Sequence, residues 1–96
     1  DALPIYDEEK GELVIKVVNG ADTAYLTTIQ IKGSKNIAEE GRVISLTAAD
    51  GSEENSFEEP RKIYPKEIAY KGFGPEFDYE FPPFSYTILR VKAEKQ

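Results

Sequence analysis

The sequence predicts an all-β protein, an antiparallel sandwich or barrel of about seven short strands, and three observations carry that expectation. Apolar residues recur at every second position in segment after segment. Glycine, proline, asparagine and aspartate punctuate the gaps between those segments. No stretch shows convincing helical periodicity.

The first clear strand is ELVIKVVN, Glu12–Asn19, with Leu13, Ile15 and Val17 on one face and Val14, Lys16 and Val18 on the other. A strand apolar on most of both faces belongs inside a packed structure. Lys10-Gly11 marks a turn before it, so Leu3–Tyr6 and Glu12–Asn19 read as a hairpin. Asn19-Gly20 opens the next turn. In YLTTIQIK, Tyr25, Thr27, Ile29 and Ile31 alternate with Leu26, Thr28, Gln30 and Lys32, which suits one buried and one wet face. Gly33 ends that strand, and Asn36–Gly41 is too short for a stable helix and reads as a connecting turn.

RVISLTAA, Arg42–Ala49, alternates again and is expected to point Ile44 and Leu46 inward. ENSFEEPRKIYPKE, Glu54–Glu67, reads as neither helix nor strand, because each proline removes a donor and stiffens its predecessor. As the longest non-strand stretch it is assigned the crossing between sheets, with Phe57 and Ile63 pinning it to the core. Lys71–Gly74 is a turn, after which EFDYEF points Phe77, Tyr79 and Phe81 one way and Asp78 and Glu80 the other. Pro82-Pro83 stops that strand. FSYTILRVK, Phe84–Lys92, is apolar on both faces and therefore central, and core packing is the expectation for Phe84 and Tyr86 too. The tail Ala93–Gln96 reads as solvent-exposed, and Tyr25, Tyr64 and Tyr70 are left for a surface role.

At 96 residues the chain reads as one domain, 40% hydrophobic with a net charge of -6, hence globular. The acidic balance and scattered Lys and Arg argue against nucleic acid. No apolar run approaches the roughly 20 residues that span a bilayer, so membrane insertion is not expected. The acidic start at Asp1 does not resemble a signal peptide. Lack of cysteine fits the cytoplasm and also exports built without disulfides.

With neither histidine nor cysteine, catalysis would fall to carboxylates, lysine, tyrosine or hydroxyls. The pairs Glu8-Glu9, Glu39-Glu40, Glu53-Glu54 and Glu58-Glu59 sit in turn-like stretches where solvation keeps a carboxylate ordinary, and the outward Asp78 and Glu80 read the same way. Asp50–Asn55 (DGSEEN) lacks the spacing of a calcium loop. The expectation is therefore no catalytic residue, no metal site and no cofactor.

Three stretches resemble one family. Asn55-Ser56-Phe57, Pro60, Ile63 and Pro65 match the ENSF-x-x-P-x-x-hydrophobic-x-P pattern of the C-terminal domain of family 51 α-L-arabinofuranosidases. LVIKVVN is similar to that domain's first long strand with its closing asparagine. FPPFSYTILRVK is similar to its last, where Pro82, Pro83 and Ser85 lead into an alternating apolar run. The resemblance spans about Leu3 to Lys92. It implies a jelly-roll-like β-sandwich of about seven or eight strands, packed against the (β/α)8 barrel of a retaining hydrolase that removes terminal arabinofuranosyl groups from hemicelluloses and pectins. Both catalytic glutamates of that family lie in the barrel, so none is carried over to this chain. The implied partners are the catalytic barrel of the same parent chain and, indirectly, its polysaccharide, and for the parent export is read ahead of the cytoplasm. The competing reading is an autonomous carbohydrate-binding module, which would present a platform of exposed aromatics.

Overall fold

The computed structural model describes residues 2–47 and 65–96. Within them lie nine strands: β1 (Ala2–Asp7), β2 (Glu12–Asn19), β3 (Tyr25–Gln30), β4 (Ser34–Lys35), β5 (Glu40–Thr47), β6 (Lys66–Lys71), β7 (Glu76–Phe81), β8 (Ser85–Lys92) and β9 (Glu94–Lys95). Every pairing is antiparallel. Five strands form one sheet in the order β1-β2-β8-β5-β6, β3 pairs with β7, and β4 pairs with β9. The all-β antiparallel expectation holds.

The β1–β2 hairpin closes as its turn residues dictate, with Asp7 opposite Glu12 and Gly11 at a φ of 64°, which a side chain would strain. The two segments apolar on both faces are interior: β2 lies between β1 and β8, and β8 between β2 and β5. Leu13, Ile15 and Val17 face Val91, Leu89 and Thr87 across the β2–β8 ladder, and these inner-face residues pack against Phe77 and Phe81 of β7. That interface is the core of a β-sandwich. Leu89, Val91 and Phe81 are its most deeply buried large apolar side chains.

Several expectations are corrected. In β5 it is Val43, opposite Leu89, that is buried, while Ile44 and Leu46 pair with Ile88 and Tyr86 on the outer face. Gly41, two residues before Val43 on the same face, lies against the Arg90 backbone carbonyl and the Phe73 ring, and a β-carbon there would stand 2.8 Å from that ring. Phe73 thereby turns Lys71–Gly74 from a plain turn into a core anchor. Tyr70 is not free, since its ring is edge-on to both Phe73 and Tyr79 at 5.2 Å.

The tail is exposed over 94–96 as read, but Ala93 is not, and the segment is paired. Ala93 is buried and its N–H donates to the Gly11 carbonyl at 3.1 Å, and Glu94–Lys95 pairs with Ser34–Lys35. Phe84 and Tyr86 are not core residues. The strand begins only at Ser85, Phe84 holds a left-handed φ of 49°, and alternation then sends Ser85 and Thr87 inward and Tyr86 outward. Last, β5 and β6 lie side by side in one sheet, so the segment joining them links neighbours rather than crossing between sheets. Residues 48–64 of that connection, including Phe57, lie outside the described residues, while Lys66 and Glu67 already belong to β6.

Candidate functional site

The motif residues divide. Asn55, Ser56, Phe57, Pro60 and Ile63 lie outside the described residues, as does Tyr64. Pro65 is exposed just ahead of β6. Pro82, Pro83 and Ser85 form the turn from β7 into β8, and the structure brings them to Asn19 at the end of β2, directly opposite Ser85 in the ladder.

There a buried polar corner forms. Asn19 Nδ2 donates to the carbonyl oxygens of Pro82 at 2.9 Å, Thr23 at 3.0 Å and Phe81 at 3.2 Å. Its Oδ1 accepts the Ala21 N–H at 3.0 Å, and Ser85 Oγ donates to the Pro82 carbonyl at 2.7 Å. Two prolines in succession cannot extend the ladder, so the carbonyls they strand need other donors, and a short amide with two hydrogens supplies them. Two stretches that resemble the same family, VVN and FPPFS, are thus parts of one structural clasp. It binds backbone to backbone and leaves no reactive group over.

The second cluster was not read from the sequence. On the outer face of the five-stranded sheet, Arg90 Nη1 reaches Glu12 Oε1 at 2.9 Å and Asp7 Oδ2 at 3.4 Å. Arg42 reaches the same Glu12 oxygen at 3.3 Å and Glu67 at 3.1 Å. Arg42 and Arg90 are directly opposed across β5 and β8, so two like charges face each other and Glu12 sits between them as counter-ion. Glu12 is only 8% exposed. Burial pushes its pKa up, the Arg90 hydrogen bond and the charges of Arg42, Arg90 and Lys92 push it down, and the net is below the ordinary value. Asp7 is lowered chiefly by the Lys10 N–H, which donates to it at 3.2 Å, and also by Arg90. Glu8 is lowered by its ion pair with Lys95 at 2.8 Å.

In each of these carboxylates the surroundings favour the ionised form. A glycosidase acid catalyst needs the opposite, a carboxyl whose pKa is raised, facing a second one about 5–9 Å away across a cleft. Asp78 and Glu80 point outward from β7 as read, and Asp78 accepts the Thr28 hydroxyl at 2.6 Å. No sequence spacing links Glu12 to Arg42 and Arg90; only the register of three strands does.

The fold has counterparts among known proteins. An arabinose-bound α-L-arabinofuranosidase of family 51 superposes with a TM-score of 0.80 at 26% identity, over 97% of this chain and 14% of its own. The thermostable family 51 enzyme from Thermotoga petrophila RKU-1 gives 0.76 at 27% identity, over 96% of this chain and 19% of its own. An extracellular exo-α-L-arabinofuranosidase from Streptomyces chartreusis is 31% identical over 86 residues, 90% of this chain. The chain resembles one small part of the family 51 α-L-arabinofuranosidases. It spans about a tenth of the length of the curated relative and less than a fifth of either solved chain. No protein-family model matches it. The ENSF pattern lies largely outside the described residues, whereas Pro82 and Ser85 of the PPFS segment take part in the corner around Asn19.

Proposed function

We propose that this chain is the non-catalytic C-terminal domain of an α-L-arabinofuranosidase, and that it packs against and stabilises the enzyme's catalytic (β/α)8 barrel. The parent enzyme hydrolyses terminal α-L-arabinofuranosyl residues of hemicellulose or pectin arabinosides. One observation carries the reading: the likeness takes in nearly all of this chain but only 14–19% of the enzymes it resembles. A unit of that share, built as a sandwich, is an accessory domain of such an enzyme. Among the described residues, Asp7, Glu8 and Glu12 have lowered pKa values, the opposite of what an acid catalyst needs.

The test is to assay the 96-residue chain alone on aryl arabinofuranosides, then the parent enzyme with and without this domain. The expected outcome is no turnover by the chain, and a parent that loses stability when the domain is removed, because the surface it covers becomes exposed. Turnover by the chain that disappears when one of its own glutamates becomes glutamine refutes the proposal. The competing role, a carbohydrate-binding module, draws on the exposed rings of Tyr25, Phe84 and Tyr86. Retardation of the chain in arabinoxylan affinity gels, abolished by Tyr86→Ala, would favour it instead.

A further inference from the structure

Resting on that reading, we propose which face of the domain meets the rest of its enzyme: the outer face of the five-stranded sheet, at the end where Val18, Tyr86 and Leu46 form one row across β2, β8 and β5. The row follows from register, since Tyr86 is the cross-strand partner of both Val18 and Leu46. Val18 is 58% and Tyr86 37% exposed, and Phe84, 44% exposed at the row's end, completes a shallow groove with them.

The two outer faces of the sandwich differ. That of β3 and β7 carries Thr28, Gln30, Glu76, Asp78 and Glu80, all exposed, with Leu26 as its one apolar side chain. It is the wet face expected of a sheet that nothing covers. The outer face of β2, β8 and β5 has a second row beside the first, Lys16, Ile88 and Ile44. The core accounts for only one face of these strands. Their second apolar face is the composition of strands covered on both sides.

The groups around that patch suit an interface. At the other end of the same face the network of Asp7, Glu12, Arg42, Glu67 and Arg90 is already paired within the domain. That network needs no partner from outside, which leaves the apolar row as the part of this face suited to a protein–protein contact. The occupant follows from the comparisons. The enzymes this domain resembles carry most of their length outside it, since it covers only 14% and 19% of the two solved chains.

The chain contains no cysteine, so single cysteines placed in it report exposure at one position each. Val18→Cys and Tyr86→Cys test the face, and Gln30→Cys on the opposite sheet is the control. Each is labelled with a maleimide in the isolated chain and in the full parent enzyme, and the rate is read on that residue's own peptide by mass spectrometry. Labelling at positions 18 and 86 should slow by about tenfold or more in the parent, with position 30 changed less than about twofold. Protection of position 30 with 18 and 86 still reactive overturns the choice of face and leaves the accessory-domain reading standing. No protection at any of the three likewise overturns the choice of face, while the accessory-domain reading stands or falls on its own assay.

Discussion

Replacing Asn19 tests the clasp at the β7–β8 turn, and alanine and aspartate fail for different reasons. The amide has two hydrogens shared among the carbonyls of Thr23, Phe81 and Pro82, and one oxygen that accepts from Ala21. That amounts to roughly three hydrogen bonds at about 1 kcal/mol each. The Thr23 and Ala21 groups lie in an exposed turn and recover water, and the Pro82 carbonyl keeps Ser85, so Asn19→Ala should cost about 2–3 kcal/mol. For a domain of this size that lowers Tm by roughly 10–20 °C. Asn19→Asp keeps the acceptor for Ala21 but sets a carboxylate against three carbonyl oxygens, so at pH 7 it should be less stable than Asn19→Ala despite matching the native shape. That repulsion raises the folded-state pKa of the new carboxyl above its unfolded value. The folded state then binds more protons, and the stability of this variant should rise as pH falls from 7 towards 5. Urea denaturation at both pH values reads all three proteins. An Asn19→Asp protein at least as stable as Asn19→Ala at pH 7, with no gain on acidification, would refute the account of the corner.

Glu12→Gln leaves Arg42 and Arg90 facing each other without their shared counter-ion and should cost about 1–3 kcal/mol, whereas Glu67→Gln, at an exposed pair, should stay within about 0.5 kcal/mol; denaturant midpoints compare them. Asp7, Glu8 and Glu12 all titrate below their ordinary values of 3.8 and 4.5, so their contribution is complete above that range, begins to fall below about pH 4.5 and is lost once pH passes their lowered pKa values. Thermal melts from pH 6 to pH 3 should be flat at first and then decline, and Glu12→Gln should flatten the decline. The hydroxyl of Thr87 is fully buried with no hydrogen-bond partner among the described residues, so Thr87→Val should stabilise the fold by about 1 kcal/mol. A destabilised Thr87→Val would show that the hydroxyl has a partner after all.

The sequence alone settled which strands are central and which residues of β7 face the core. Glu12–Asn19 and Ser85–Lys92 are apolar on both faces, an edge strand would expose one of those faces, and both segments are interior. Phe77 and Phe81 follow from strict alternation with Asp78 and Glu80. Alternation failed in β5, because Val43 and Ile44 are adjacent and both apolar. Period two then separates two faces without saying which is inside, and the pairing with β8 puts Val43 opposite the buried Leu89, on the face that Phe73 closes at Gly41. The tail misled for a related reason. Ala93–Gln96 is polar and short, and its order comes from Gly11, Ser34 and Lys35, dozens of residues upstream. The ion network was equally hidden, since Glu12, Arg42 and Arg90 become neighbours only when three strands take one register. Local pattern is written in the order of the residues. Which of two apolar faces is buried, and which charges meet, depends on pairings between distant segments, and these exist only once the chain has folded.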